Sequence, residues 1–404
     1  MNKSQPKNFV EFPFKYKEEI ILDICDVSNL GIGVGKINDW VVFVPYALMG
    51  EKIKASVYRN KKNYSEADLV EVLEPSPERA EPFCKLFGVC GGCQYQHLTY
   101  AAQLKLKQKQ IGDLMKHIAK LEVSVEPTHP SPEVLGYRSK LTPHYNKPLK
   151  DGSMPVGFIM QSRRQTLVDV PSCPIASKAI NEALPKARQN IIDKACKLKR
   201  GGTILLRDTL TGVVSDNNAV VKAKVGEFTY NFVAGDFFQN NPFILPEFVG
   251  YIVNEALGNK YLVDAYCGVG LFAIAAHKHF EKVAAIEISE KAINCAEENK
   301  KINNALNCEF TLGSSEEIFK NIAFKGSESS MIIDPPRSGC SEEFLQQLVN
   351  FAPKKLVYVS CGPDTQARDL IFLTANGYKV EKIQPFDMFP QTRHIESVAT
   401  LSKI

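Results

Sequence analysis

Long apolar runs are missing from this sequence, since no segment approaches the run of about eighteen residues that a membrane-spanning helix needs. The first residues, Met1 to Lys7, also lack the apolar core of a secretory signal peptide. The eleven cysteines are an odd number scattered over 404 residues, which does not suggest a secreted disulfide framework. We therefore expect a cytoplasmic protein with no membrane partner, in which clustered cysteines are metal ligands or catalytic thiols.

Basic and acidic residues are divided unevenly along the chain. The formal net charge is +4 overall, but it is +9 for residues 1–232 and −5 for residues 233–404. Residues 147–200 hold 11 basic and 4 acidic side chains, including Arg163-Arg164 and Lys197-Leu-Lys-Arg200. Such a surface favours phosphate, although a solvated face of ordinary helices has the same composition. The first half of the chain is thus the predicted nucleic-acid-binding half.

Residues 19–74 predict a small all-β unit. Glycines or polar turns, such as the one at 29–35, separate strand-like segments in which apolar residues alternate. About five short strands predict a small closed barrel of the OB type, a class that often binds single-stranded nucleic acid. The segment resembles a TRAM domain, an RNA-binding barrel that is appended to RNA-modifying enzymes. The strand-like segments are 19–24, 40–44, 52–58 and 67–73.

A proline-rich linker at 75–82 precedes a cluster of three cysteines, of which the last follows a Gly-Gly pair: Cys84, Cys90 and Cys93. Three thiols within ten residues are typical of a metal site that needs a fourth ligand. His97, Cys173 and Cys196 are candidates, and Cys173 is preferred because prolines on either side fix its loop. Thiolates suit zinc and iron–sulfur clusters alike, so these residues leave both open.

Residues 98–121 have apolar side chains at helical spacing and predict an amphipathic helix. We expect its lysines, Lys105, Lys107 and Lys109, to face solvent or to meet phosphate. Strand-like segments and a helix over 175–198 follow. Residues 75–232 therefore predict a central mixed α+β domain built around the cysteines, with the helix packed on it or on the last domain.

From residue 233 onwards strand and helix patterns alternate, which predicts a doubly wound parallel sheet with ligands at the carboxyl ends of its strands. The strand at 261–265 runs into the glycine turn Asp264-Ala-Tyr-Cys-Gly-Val-Gly270 and then into a helix, as in nucleotide-binding corners. The next strand ends in Glu287, where a carboxylate usually binds a ribose. The sequence thus predicts a cofactor site at the glycine turn.

Three further motifs fall at predicted strand ends: Asp334-Pro-Pro-Arg337, Cys361 before a helix, and a loop with His394 and Glu396. A thiol at a helix start is expected to have a lowered pKa and to act as a nucleophile, and a carboxylate nearby can act as general base. An adenine amino-methylase would keep an aromatic residue where Arg337 stands. A thiol instead suits an unreactive ring carbon such as C5 of uracil, which becomes an enolate when the thiolate adds to C6.

These motifs together resemble the RNA uracil-5-methyltransferase family, S-adenosylmethionine-dependent enzymes that make 5-methyluridine in transfer and ribosomal RNA. The resemblance covers nearly the whole chain. It implies a TRAM barrel (1–74), an iron–sulfur domain (75–232) and a Rossmann-like class I methyltransferase domain (233–404). It further implies that Cys361 is the nucleophile and Glu396 the base. The cofactor-binding residues that it implies are Gln239, Tyr266, Gly268, Glu287 and Asp334, and the implied ligands of a 4Fe–4S cluster are Cys84, Cys90, Cys93 and Cys173.

The chain departs from the family pattern at two positions. Gly362 follows the nucleophile where the family commonly has Asn, and Asn240 replaces an aliphatic residue after Gln239. Neither change removes a group that performs chemistry. Three alternative roles stay open: Cys267 or Cys340 as nucleophile, His394 as base, and Arg337 either as a partner of Asp334 or as the group that steadies the enolate.

The resemblance favours ribosomal RNA as the substrate, because the barrel and the cysteine cluster are more typical of the ribosomal RNA enzymes. Transfer RNA is the alternative target, and a non-catalytic RNA-binding assembly factor is the alternative function. We expect a monomer.

Overall fold

The computed structural model describes residues 5–6, 9–161, 163–195 and 198–404, without the side chains of 163–165 and 321. Cys196 and Lys197 therefore lie outside the described residues. The chain divides into two compact units, and the predicted boundaries at residues 74 and 232 stay predictions. The first unit comprises Met1–Leu106, Ile159–Gln165 and Gln391–Arg393, and the second comprises Lys107–Phe158, Thr166–Pro390 and His394–Ile404.

A closed five-stranded barrel lies in the first unit, as the sequence predicts. Its strands are β1 Glu19–Val27, β2 Ile32–Ile37, β3 Trp40–Pro45, β4 Lys52–Asn60 and β5 Tyr64–Glu74. They are hydrogen-bonded in the order β1-β2-β3-β5-β4. Alternate side chains, such as Ile20, Leu22 and Ile24, point into the barrel and are buried, because successive residues of a strand face opposite sides.

The predicted amphipathic helix is α1 Tyr100–Leu114, which continues as a π-helical turn, Met115–Ala119. In the second unit Ile111 and Met115 share a core with Met331 and Leu370, so this part of the helix packs on the C-terminal sheet. One expectation about the helix is wrong. Lys107 faces neither solvent nor phosphate but is fully buried, because its ammonium has a counter-ion in Asp387.

Short strands and one helix make up the segment between α1 and the C-terminal sheet. Helix α2 begins after Ser177, whose hydroxyl accepts a hydrogen bond from the Ile180 amide, and it buries Ile180 and Leu184 against Leu141. The elements are β6 Lys140–Leu141, β7 His144–Tyr145, β8 Val156–Met160, β9 Arg163–Asp169, α2 Lys178–Ile192, β10 Gly202–Thr203, β11 Leu206–Thr209, β12 Gly212–Val214, β13 Val220–Val225 and β14 Phe228–Val233. They form a sheet of order β10-β7-β8-β9, a sheet of order β12-β11-β6 and the hairpin β13-β14.

The C-terminal part is a seven-stranded sheet with helices on both faces. Its elements are α3 Leu245–Ala256, β15 Tyr261–Ala265, α4 Leu271–Ala276, β16 Lys282–Glu287, α5 Glu290–Ile302, β17 Cys308–Leu312, α6 Ile318–Asn321, β18 Ser329–Ile333, α7 Glu342–Phe351, β19 Lys355–Ser360, α8 Pro363–Ala375, β20 Tyr378–Phe386 and β21 Glu396–Lys403. The strand order is β17-β16-β15-β18-β19-β21-β20. Strands β15 to β19 are parallel, as predicted, whereas β21 is antiparallel to both of its neighbours.

Two hydrophobic cores cover the two faces of this sheet. On one face α3, α4 and α5 pack against the sheet through residues such as Phe248, Phe272 and Ile293. On the other face α7 and α8 do so through Phe344 and Leu370. Chain order reverses at β15, which is flanked by β16 on one side and β18 on the other, so the carboxyl ends of these strands border the crevice where doubly wound sheets bind ligands.

Candidate functional site

The glycine turn after β15 has the backbone conformation that a close-binding loop requires. Gly268 and Gly270 have φ values of +56° and +85°, and Tyr266 between β15 and the turn has a φ of +65°. A Cβ atom on Gly270 would lie 2.8 Å from the Phe310 ring, so only glycine fits there. Tyr266, a bulky residue in the left-handed region, is held in a sparsely populated conformation of the kind that clusters at functional sites.

Two carboxylates are fixed by hydrogen bonds to this turn and the helix after it. Glu287 Oε2 accepts a hydrogen bond from the Gly268 amide at 3.1 Å, and Asp264 Oδ2 accepts one from Ala273 at 2.8 Å. Asp264 is fully buried and its Oδ1 has no partner in the described part of the chain. The pKa of Asp264 is raised to about 8, chiefly by burial and also by the charges of Asp334 and Glu287, while the hydrogen bond from Ala273 acts in the opposite sense.

The register of β19 and β21 brings Cys361 and Glu396 together. Ser360, the last residue of β19, is paired with Ser397 of the antiparallel strand β21. Cys361, the residue after Ser360, and Glu396, the residue before Ser397, therefore lie at the same end of these two paired strands. The expectation that Glu396 lies in a loop is wrong, because it is the first residue of β21.

One electrostatic expectation is also wrong. The pKa of Cys361 is not lowered by the start of α8 but raised to about 12, chiefly because the thiol is desolvated and secondarily because Glu396 and Asp334 are near. Burial raises the pKa of Asp334 to about 7 and the pKa of Glu396 well above its usual range. Arg337 acts in the opposite sense on Cys361 and Glu396. The site is therefore a cluster of like-charged acids that hold protons unless a cation compensates.

The expected alternatives differ in how well the structure accommodates them. Cys267 and Cys340 are buried, and burial raises the pKa of both thiols. Arg337 forms no ion pair with Asp334, and its Nη2 atom lies 3.4 Å from Nδ1 of His394. Of the three thiols, Cys361 is the one that combines partial exposure with a neighbouring carboxylate, which favours it as the nucleophile and Glu396 as the base.

The tight turn after Cys361 explains the first departure from the family pattern. A Cβ atom at Gly362 would lie 2.9 Å from the Thr365 hydroxyl and 3.0 Å from the Arg337 carbonyl. Thr365 donates to both the Gly362 and Arg337 carbonyl oxygens, at 2.8 and 3.0 Å. Glycine therefore leaves room for a hydroxyl that ties the Asp-Pro-Pro-Arg turn to the start of α8.

The second departure is explained by a buried arginine. Asn240 Oδ1 accepts a hydrogen bond from Arg207 Nη1 at 3.1 Å, and its carbonyl accepts two from Ser139. Sequence analysis did not single out Arg207, and an arginine within an apolar strand segment is the signal that could have found it. Gln239 beside Asn240 is 7% exposed, and its side-chain amide has no protein partner among the described residues, so it is available to a ligand.

Cys84, Cys90 and Cys93 lie in one turn-rich segment of the first unit. Burial and the neighbouring Cys84 raise the pKa of Cys90, and Cys90 and Cys93 both help to raise the pKa of Tyr46 to about 12, so the three thiols are close neighbours. The buried Tyr46 hydroxyl and both ring nitrogens of His97 have no hydrogen-bond partner in the described part of the chain. The donors are of the right chemistry, yet among the residues that the structure describes no group of three or more potential ligands is arranged to hold a metal ion.

Comparison with known proteins identifies the chain. A model of the tRNA (uracil-5-)-methyltransferase family matches residues 175–404, and a TRAM domain model matches residues 17–70. The chain belongs to the RNA uracil-5-methyltransferase family. It is an S-adenosylmethionine-dependent RNA (uracil-5-)-methyltransferase in which a class I methyltransferase fold follows a TRAM barrel in the chain.

Three similar proteins carry a more specific name. The tRNA (uracil(54)-C(5))-methyltransferase of Schizosaccharomyces pombe is 40% identical over 97% of this chain and 80% of its own. The Saccharomyces cerevisiae protein of the same name is 33% identical over 96% of this chain and 74% of its own. The crystal structure of the Pyrococcus abyssi tRNA (uracil-54, C5)-methyltransferase, in complex with S-adenosyl-L-homocysteine, has a TM-score of 0.72, 25% identity, and covers 95% of this chain and 100% of its own. In the described part of the chain no helix is long and apolar enough to cross a membrane.

Proposed function

We propose that this enzyme methylates C5 of uridine 54 in transfer RNA through a covalent adduct on Cys361, with Glu396 as the general base. The observation that carries this proposal is the β19–β21 register, which presents a thiol and a carboxylate at the same end of the sheet, two strands from β15 and its glycine turn. No other pair of a partly exposed cysteine and a carboxylate follows the strand ends of this sheet among the described residues.

Each reaction step moves one identifiable group. The Cys361 thiolate adds to C6 of the uracil ring, and the C5–C6 electron pair becomes that of an enolate. The enolate electron pair at C5 then takes the electrophilic methyl group that bound S-adenosylmethionine would supply, and the S–CH3 bonding pair stays on the sulfur of the departing S-adenosylhomocysteine. Glu396 then removes the proton from C5, and the electron pair of that C–H bond restores the double bond as the C6–S bond breaks. The thiolate is regenerated and one proton remains on Glu396.

The residues at the crevice fit the cofactor that the reaction needs. Gln239 offers an unpartnered amide, the turn at Gly268 admits a close approach, and the Glu287 carboxylate is already oriented by two backbone amides, those of Gly268 and Ser289. Tyr266 and Asp334 flank this turn at the ends of β15 and β18. These five residues would hold S-adenosylmethionine.

The raised pKa of Cys361 in the ligand-free site opposes formation of the thiolate. At neutral pH a thiol with a pKa near 12 is protonated, so Cys361 must lose its proton as the substrate complex forms. Glu396, whose pKa is also raised, holds a proton in the ligand-free site, so both groups must ionise before they react. Arg337 lowers the pKa of both groups and therefore favours the ionised forms that react.

Transfer RNA replaces ribosomal RNA as the proposed substrate. The ribosomal preference rested on the barrel and cysteine cluster, and both fungal relatives that match at least 96% of this chain are named for uridine 54 of transfer RNA. Ribosomal RNA stays an outcome that the test below can report.

We further propose that Cys84, Cys90, Cys93 and Cys173 hold a 4Fe–4S cluster. The proposal is supported by the three neighbouring thiols and by the unpartnered Tyr46 hydroxyl, a donor available to cluster sulfur. No step of methyl transfer is routed through it. Iron and acid-labile sulfide should both be present in anaerobically purified protein, whereas one zinc and no sulfide would exclude the cluster.

The test of function is methyl transfer to defined RNA. Radiolabelled methyl groups should enter a transfer RNA transcript with uridine 54 and should not enter the matched transcript with cytidine 54. Cys361→Ala should abolish incorporation while retaining RNA binding. Equal incorporation by wild type and Cys361→Ala would overturn the mechanism, and labelling of ribosomal RNA alone would overturn the target. RNA binding by the wild type without any methyl transfer would indicate the non-catalytic alternative.

A further inference from the structure

Three cations gather in the second unit around the loop that carries Gln239. The pKa of Lys140 is lowered to about 8, chiefly by burial and further by the charges of Arg207 and Arg138, while Asp236 acts in the opposite sense. Burial and Arg138 lower the pKa of Arg207 to about 10. Arg138, Lys140 and Arg207 form no ion pair with any carboxylate in the part of the chain that the structure describes. The fold thus holds three like charges together, with the Asp236 carboxylate acting on Lys140 from beyond ion-pair distance.

Backbone carbonyls partly compensate for these charges. Arg207, which is 1% exposed, donates to the carbonyl oxygens of Ala234 and Asp236 at 3.2 and 3.0 Å. Lys140 donates to those of Gly235 and Asp236 at 2.7 and 3.1 Å. Carbonyl dipoles solvate a cation but leave its net charge in place, so the region stays positive.

A pocket of about 200 Å³ opens against this cluster. Arg207, Lys222 and Lys224 line it with a single carboxylate, Asp208, and its wall also contains Gln239. Lys222 and Lys224 stand two residues apart on β13, are exposed, and have no ion-pair partner among the described residues. The pocket therefore has an excess of positive charge, hydrogen-bond donors that are not in use, and an unpartnered buried amide at its edge.

We propose that this pocket binds a backbone phosphate of the substrate RNA next to the methylated uridine. The inference rests on the proposed RNA methylation. A phosphodiester supplies the negative charge that the cluster lacks, and contacts to phosphate position an RNA without reading its sequence. Arg207 also donates a hydrogen bond to Asn240, the residue after Gln239. One buried cation would therefore contact both the phosphate in the pocket and the cofactor loop.

The test compares two matched pairs of exposed lysines. Lys222→Gln/Lys224→Gln removes the two exposed lysines of the pocket, and Lys282→Gln/Lys301→Gln removes two exposed lysines on β16 and α5 that have no ion pair among the described residues. Binding of full-length wild type and both variants to a transfer RNA transcript is measured between about 50 and 200 mM salt. The pocket variant should bind about tenfold more weakly, and the slope of log K against log salt should fall by about 1 to 2. The control variant should keep both values.

Two outcomes would overturn the proposal: an unchanged salt slope in the pocket variant, or an equal change in the control pair. A raised KM for S-adenosylmethionine with unchanged RNA affinity would do so as well, because the anion in the pocket would then be the carboxylate of the cofactor. Failure of the proposed function is distinguishable, since wild type would then bind RNA with the same salt slope but transfer no methyl group.

Discussion

Two regions of the second unit each bring like charges together, and the repulsion is reduced in a different way in each region. At the sheet edge Asp264, Asp334 and Glu396 have raised pKa values, so the acids lower their repulsion by holding protons. Around the Gln239 loop Lys140 and Arg207 have lowered pKa values but stay charged at neutral pH, because carbonyl oxygens solvate them. The first region can therefore exchange protons with a substrate, whereas the second can only attract an anion.

Removal of the base from the acidic region should have the largest effect. Glu396→Gln should lower the rate at which methylated RNA is released from Cys361 in a single turnover by about 10² to 10⁴, because the C5 proton is no longer removed. A denaturant-resistant RNA–protein adduct should accumulate on a gel. The Cys361→Ala/Glu396→Gln double variant is the control and should form none. Normal turnover in Glu396→Gln would show that another group, such as His394, is the base.

The second largest effect is expected on unfolding free energy, when a buried cation with a counter-ion is compared with one that has none. Lys107 is fully buried and its ammonium lies 2.6 Å from Asp387 Oδ1 and 2.9 Å from the His394 carbonyl oxygen, in the segment that leads to Glu396. Lys107→Met should cost about 3 to 5 kcal/mol of unfolding free energy, because the Asp387 charge is left buried and unpaired. Arg207→Met should cost about 1 to 3 kcal/mol, because it leaves only unpaired carbonyl and amide oxygens.

Chemical denaturation of both variants measures this difference. The Lys107→Met/Asp387→Asn double variant is the control, and it should recover part of the stability that Lys107→Met loses. A larger loss in Arg207→Met than in Lys107→Met would mean that the carbonyl bonds, not the counter-ion, decide the stability of these loops.

The pH dependence of stability should have opposite signs in the two regions. Acids with raised pKa values contribute stability that is present below about pH 4 and is lost as the pH rises to about 8 for Asp264 and 7 for Asp334. Lys140, with a lowered pKa, contributes stability that is present above about pH 10.4 and is lost as the pH falls through about 8. In a plot of denaturation midpoint against pH, the slope on the acidic side should become smaller in Asp264→Asn. The slope on the alkaline side should become smaller in Lys140→Gln. Unchanged slopes in both variants would contradict the two assignments.

The smallest effect should come from the link between the basic region and the cofactor loop. Asn240→Val restores the aliphatic residue of the family pattern and removes one hydrogen bond from a buried guanidinium, which is worth about 1.5 kcal/mol. Denaturation should show that loss, and KM for S-adenosylmethionine should rise more than kcat falls. Asn240→Asp, which keeps the acceptor, should bind the cofactor like wild type; equal KM values in all three proteins would exclude a role in loop positioning.

Much of the fold followed from periodicity. The alternating strands of residues 19–74, the βαβ pattern after residue 261 and the glycine turn at 264–270 are local signals, and the structure confirms each of them. The sequence did not predict α3 or β21. Helix α3 is apolar on the face that meets the sheet and follows directly on a loop with three asparagine and proline residues. Strand β21 lies between β19 and β20 and is buried on both faces, but Ser397 and Thr400 interrupt its apolar residues, so it shows neither an apolar run nor a regular alternation.

The electrostatics of the site could not be predicted from motif spacing. A thiol before a helix suggests a lowered pKa, but burial of Cys361 and its two acidic neighbours outweigh the helix start. On a helical wheel Lys107 falls on the apolar face, three residues after Leu104 and four before Ile111, but the spacing does not show that its counter-ion is an aspartate 280 residues away in the chain. Long-range neighbours of this kind decide whether a charge is stabilised, and local sequence does not contain them.

By itself the sequence determined the chemical parts and the family of this protein, because a thiol, carboxylates, glycines and their spacing are local properties. Only the tertiary structure decided how those parts act together. The antiparallel register of β21 sets Glu396 beside Cys361, and the burial of Arg207 without a counter-ion makes the Gln239 loop positive. Both depend on segments distant in sequence that pack together, since burial and strand pairing, unlike residue type, exist only in the folded chain.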